Sequence, residues 1–174
     1  ADLRGVESHG VSNMLRAYLG AFKSNSLNPK PNWKIVKETP SCATINSDNG
    51  LGIVVAPQAM EIAVEKAKKT GAGIVTMNNC GHLGMLAYHS MIASDNDMIG
   101  TTMAACSPRM VPTYSSVRAI GTNPISYSAP ADKLPDFVFD AAMTSVAGNK
   151  IVLASRLNVP LSPGWIADKD GNPI

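Results

Sequence analysis

Two rhythms of apolar residues alternate along the chain. Leu3, Val6, Met14, Leu15, Tyr18, Leu19 and Phe22 recur at helical spacing with an interruption near Gly10. This predicts a helix over the first twenty-odd residues, broken or capped around Ser8 to Gly10. Asn28-Pro29-Lys30-Pro31-Asn32 stops it. Trp33–Val36 and Cys42–Ile45 read as short strands separated by a Pro40 turn and able to pair, with Asp48-Asn49-Gly50 as the next turn. Pro57 fits the first turn of a helix whose apolar face runs through Met60, Ile62, Ala63, Val64 and Ala67 to a Gly71 cap. Strand Gly73–Met77, a polar loop Asn78–Gly81, helix Gly84–Ser94 and strand Met98–Ala105 follow. An extended loop is expected over Cys106–Ile120, then strands Ile125–Ala129 and Phe137–Phe139 and a helix Val146–Leu157. Strand, helix and strand at these spacings predict an α/β fold.

Composition narrows the function classes. Of 174 residues, 45% are hydrophobic and 16% charged, with a net charge of +2. The charged share lies below the roughly 25% of an average domain, and no basic block is present. Nucleic-acid binding by phosphate neutralisation is therefore disfavoured. No apolar run approaches the roughly 20 residues that cross a bilayer, so a membrane role is not expected. Three scattered cysteines, Cys42, Cys80 and Cys106, point to a reducing compartment, the cytoplasm, rather than a disulfide framework. Ala1–Gly5 has no signal-peptide character and reads as the middle of a helix, and Asp168–Ile174 reads as a turn with nothing after it. Both ends are expected to be cuts within a larger protein.

Candidate chemistry rests on few residues. Asn49-Gly50-Leu51-Gly52-Ile53-Val54-Val55 lacks the third glycine of a dinucleotide fingerprint, and no phosphate-binding loop motif occurs. The histidines are His9, His82 and His89. Cys80 and His82 have a metal-like spacing but too few companions, so no metal is expected. His9 suits either a helix-terminal role, bonded to a backbone carbonyl, or catalysis. Adjacent helical residues diverge by about 100°, so Ser8 and His9 face one substrate only if the helix is distorted there. His82 lies in a strand-to-helix loop, where ligands of α/β folds bind, and a plain N-cap is the competing reading. Asp140, ending Phe137-Val138-Phe139, suits orienting a histidine, holding a ribose hydroxyl, or capping a helix.

Taken together, these phrases resemble the malate/L-lactate dehydrogenase family, whose NAD(P)-dependent members reduce 2-oxo acids and imines on a non-Rossmann α/β fold. The resemblance is carried by Ala1-Asp2-Leu3-Arg4-Gly5-Val6-Glu7-Ser8-His9-Gly10, Asn28-Pro29-Lys30-Pro31, Asn49-Gly50-Leu51-Gly52 and Asn79-x-x-His82-x-Gly84. Gly121-Thr122-Asn123-Pro124, Phe139-Asp140-x-Ala142 and Trp165-x-x-Asp168-x-x-Gly171-x-Pro173 extend it to the end of the chain. It implies a helical segment over residues 1–27 and an α/β cofactor- and substrate-binding domain over 28–174, incomplete at its C-terminus. It implies His9 as proton donor with Ser8 and Asp140 as its relay, and His82 as the alternative acid/base. The NAD or NADP site would comprise His82, Leu83, Gly84, Met85, Leu86, Ser107, Thr122, Asn123, Asp140 and Ala142, and the assembly would be a homodimer.

The same resemblance places Asn13, Arg16, Ala142 and Met143 at the substrate. Asn13 stands where many members carry an arginine suited to a substrate carboxylate, leaving Arg16 or Arg4 to take over that role. Leu83, Ala87 and Met143 replace a common phenylalanine, glycine and threonine. The expected activity is hydride transfer between NAD(P) and a small 2-hydroxy acid such as malate or lactate. Two other readings stand beside it: an inactive relative serving as a binding or structural subunit, and a metal-dependent hydrolase using His9, His82 and Asp140.

Overall fold

β1 (Lys34–Glu38) and β2 (Cys42–Asn46) form the antiparallel pair expected around Pro40, with Lys34 opposite Asn46. This computed structural model describes residues 1–174. β2 then pairs in parallel with β3 (Ile74–Asn78), and the crossover between them is helix α2 (Gly52–Thr70). Burial along β2 alternates, so Ala43 and Ile45 face inward. Ile45 meets Val55 and Ala59 of α2 in a core flanked by Trp33, Ile62, Val75 and Met77. The second sheet is an antiparallel meander of β4 (Gly100–Met103), β5 (Ile125–Ala129) and β6 (Phe137–Ala141). Helix α3 (Ala87–Ser94) packs on this sheet and on α2, so the two helices lie between the two sheets. Its contact with the sheet is polar: the Ser90 and Ser126 hydroxyls bond at 2.8 Å, and the Ser128 hydroxyl donates to the Ser90 carbonyl.

Helices α1 (Val11–Lys23) and α4 (Gly148–Leu157) are tied together by a buried asparagine. Asn13 Nδ2 donates to the Ser8 carbonyl at 2.9 Å and the Asn149 carbonyl at 3.3 Å, and its Oδ1 accepts from Arg156 at 2.9 Å. No helix is long and apolar enough to cross a membrane.

Several boundaries differ from the sequence reading. The opening residues form short 3-10 turns at Asp2–Arg4 and Glu7–His9, not the middle of a helix. The Asp2 carboxylate accepts the Val11 N–H at 3.1 Å, giving α1 a cap from outside its own first turn. α2 begins at Gly52, ahead of the expected Pro57 start, so Pro57 lies inside the helix and one backbone bond is absent there. α3 begins at Ala87 rather than Gly84, because Gly84 adopts φ +69° and the first helical N–H is capped by Asp140, 53 residues away. The last residues are more than a loose turn. Asp168 accepts the Asp170 and Asn172 N–H groups at 2.9 Å, and Ala167 bridges Pro173.

Candidate active site

The 3-10 turn at Glu7–His9 turns Ser8 and His9 toward each other as no α-helix would. Ser8 Oγ lies 2.9 Å from His9 Nδ1, and Ser8 is buried. The distortion that the Ser8–His9 pairing requires is therefore present. His82 arrives from the opposite side on the loop after β3. Its ring stacks on His9 with centroids 5.5 Å apart and planes 20° from parallel. The Tyr18 hydroxyl, from α1, lies 2.7 Å from His82 Nδ1. The two histidines proposed as alternatives from sequence thus share one site, and Tyr18 joins them. Nothing in the sequence singled out Tyr18 from the other apolar-face positions of α1.

The His82 loop is fixed from beneath. The Gly81 N–H donates to the Gly50 carbonyl at 2.9 Å, and a Cβ at Gly52 would sit 2.5 Å from the Gly81 carbonyl oxygen and 2.9 Å from that of His82. The loop therefore rests directly on the first turn of α2. At its other end, the fully buried His89 Nε2 bonds the Leu83 carbonyl at 2.8 Å.

His9, Tyr18, Leu83, Gly84, Met85 and Tyr88 line part of a largely apolar cleft of about 200 Å³. Leu86 does not join them. It is 1% exposed, and its side chain belongs to the core. Asn13 is likewise buried with its polar atoms bonded within the protein, and is not placed to meet a substrate. Val11, Met14, Leu15 and Tyr18 form the cleft face of α1, and at about 100° per residue Arg16 projects from the other side. Arg4 turns its guanidinium to the Met91 sulfur at 3.5 Å. The structure brings neither arginine to the cleft wall.

A second cluster gathers at one end of the β4–β5–β6 sheet. There the Asn123 side chain accepts the Cys106 N–H at 3.0 Å, beside the exposed Ser107, and the Thr122 carbonyl accepts the Met143 N–H at 2.8 Å, beside Ala142. Asp140 connects the clusters: its Oδ2 accepts the Ala87 N–H at 2.7 Å at the start of α3. The capping reading of Asp140 is thus met, but on a helix distant in sequence. Its bond goes to Ala87, and its negative charge acts on His9 through space.

Burial dominates the electrostatics. It holds His9 below its ordinary 6.5, with Asp140 pulling the other way. His82, open to solvent at one edge but enclosed by Tyr18 and His9, is pushed down to about 4 by burial and then by the His9 charge. His89 is also lowered by burial. Burial raises the Cys80 thiol, with the Ser47 side chain pulling the other way. No group of three or more His, Cys, Asp or Glu side chains is placed to hold a metal ion.

The lowered histidines set a pH dependence of stability. Unfolding restores their proton affinity, so the unfolded chain binds more protons below pH 6.5. Their neutral-state contribution is complete above 6.5 and is lost as the pH falls toward about 4. The thermal midpoint is expected to fall more steeply between these values in the wild type than in His82→Gln. Parallel curves would show that His82 is not held neutral by the fold.

The fold and site define a mixed α/β protein with a stacked histidine pair beside an apolar cleft. Specifically, the chain belongs to the malate/L-lactate dehydrogenase family, which it matches over residues 1–174. It is 42% identical over 173 residues to L-sulfolactate dehydrogenase of Methanocaldococcus jannaschii, covering 99% of this chain and 50% of that protein. It is 40% identical to malate dehydrogenase of Pyrococcus horikoshii (99% of this chain, 47% of that one) and 31% identical to ureidoglycolate dehydrogenase (NAD(+)) of Escherichia coli O157:H7 (99% and 49%). Among solved structures, malate dehydrogenase from Entamoeba histolytica superposes with a TM-score of 0.95 at 30% identity, covering 100% of this chain and 48% of that one. The Methanocaldococcus jannaschii sulfolactate dehydrogenase superposes with a TM-score of 0.87 at 42% identity, covering 99% and 50%. The chain spans about half the length of these relatives. The expected non-Rossmann α/β fold is the fold observed.

Proposed function

We propose that the protein is an NAD(P)-dependent oxidoreductase acting between a small 2-hydroxy acid, such as malate or lactate, and its 2-oxo acid. The observation that carries this reading is the placement of His9, which lines the cleft while Ser8 fixes its Nδ1 side. The names of the family relatives support the reaction class, and one of them specifies NAD(+).

The residues present fit the reacting end of a nicotinamide cofactor. An apolar cleft of about 200 Å³ with imidazole at its edge suits a flat ring or a small acid, but it is smaller than the roughly 300–1,000 Å³ of pockets for larger ligands. Leu83, Gly84 and Met85 would flank that ring, and the loops carrying Ser107, Thr122, Asn123 and Ala142 offer hydroxyl and amide groups for the remainder. The cofactor supplies or accepts the hydride.

The protein handles the proton. In the reducing direction imidazolium His9 donates from Nε2 to the substrate oxygen, while Nδ1–H stays bonded to Ser8 Oγ. In the oxidising direction neutral His9 takes that proton back. Its lowered pKa favours the base form at neutrality, and Asp140 stabilises the charged form from a distance. The division into a helical arm 1–27 and an α/β body 28–174, homodimeric assembly and a cytoplasmic location complete this proposal.

Nicotinamide absorbance tests it, with the protein offered NAD or NADP and a panel of malate, lactate, sulfolactate and ureidoglycolate. Turnover with any of them is the expected result. Cofactor binding without turnover across the panel would instead support an inactive relative.

A further inference from the structure

Tyr18 occupies an apolar-face position of α1, yet its hydroxyl takes no part in the helix or in the core. It lies 2.7 Å from His82 Nδ1, with the two rings 6.0 Å apart. We propose that Tyr18 is a positioning residue for the reaction. By donating its O–H to His82 Nδ1, it locks the loop imidazole with its proton on Nε2 and its face against His9, so that the stacked pair holds one exchangeable proton, located on His9. This deepens the proposed function and rests on it.

A neutral imidazole has one donor nitrogen and one acceptor nitrogen, so the partner at Nδ1 decides the tautomer. Burial raises the Tyr18 phenol to about 12, so at neutral pH it carries its proton and can donate. The stack then couples the rings: a proton on either one opposes a proton on the other, and they titrate as a pair. The other ionisable groups of the site lie on the His9 side or along the cleft. Asp140 of β6 favours charge on His9 and the Ala1 amino group opposes it, while Asp2 and Tyr88 line the cleft wall. The structure gives His82 no carboxylate partner, and Tyr18 presents it with a donor. Both features assign the mobile proton to His9.

Nitrogen-15 NMR of the histidines in the wild-type protein tests the tautomer without any need for turnover. An acceptor-type shift at His82 Nδ1 and a protonated Nε2 are expected. A protonated Nδ1 would overturn the proposal even if the protein proves an active dehydrogenase. With the absorbance assay, Tyr18→Phe is expected to lower kcat about tenfold, leave the cofactor KM within about twofold, and add a second ionisation to the pH profile as His82 begins to take up the proton. A profile superimposable on the wild type would overturn it. Absence of dehydrogenase turnover in the wild type would defeat the functional reading alone, because the NMR result stands independently.

Discussion

Replacing His9 by alanine is expected to lower kcat by roughly 10²–10⁴-fold, the range for loss of a general acid/base, while leaving the cofactor Kd near its wild-type value. His9 is the only histidine lining the cleft, with His82 stacked on it and His89 sealed in the core. Loss of a group that acts on the proton alone should reduce kcat and kcat/KM together. Single-turnover absorbance and fluorescence titration of the cofactor separate chemistry from binding. Wild-type kcat in His9→Ala would move the acid/base role to His82.

The second large effect is expected at Gly52. This glycine sits 2.5 and 2.9 Å, measured from where a Cβ would stand, from the carbonyl oxygens of Gly81 and His82. Backbone cannot swing aside as a flexible side chain can, so Gly52→Ala must push the His82 loop away from α2. Overpacking of this kind costs about 1–3 kcal/mol. A displacement of about 1 Å in a catalytic group lowers rate by about 10²-fold. Both the thermal midpoint and kcat should therefore fall. Gly20→Ala is the control, since Gly20 lies in α1 with no neighbour within 4 Å of an added Cβ, and it should be neutral or slightly stabilising. Equal behaviour of the two variants would show that the loop yields without consequence.

The same glycine explains what the sequence could and could not reveal about the fold. Short strands with alternating burial, such as Cys42–Asn46, where Ala43 and Ile45 face inward, were legible because a period of two depends on local pattern alone. The start of α2 was not. Asn49-Gly50-Leu51-Gly52 has turn composition, yet Gly52 opens the helix, and the reason a glycine stands there, a carbonyl from another loop that leaves no room for a side chain, is set far along the chain. The cap on α3 was hidden for a related reason: Asp140 lies 53 residues from the N–H it accepts.

At the site, Ser8, His9, His82 and Asp140 could be picked out because their residue types carry chemistry and their phrases resemble a family. Tyr18 could not, since a tyrosine on an amphipathic face has the same pattern whether or not its hydroxyl finds a partner on a distant loop. Asn13 shows the converse. It occupies a position where the resemblance suggested substrate contact, but its amide joins Ser8, Asn149 and Arg156 in the interior.

Asp140 gives one carboxylate two duties, as the cap on α3 and as the negative charge felt by His9. Any change that neutralises it acts on the start of α3 and on the charge felt by His9 together. Asparagine keeps an oxygen for the Ala87 N–H but removes the charge, whereas alanine removes both. Comparing the two substitutions divides one residue's contribution into an architectural part and an electrostatic part.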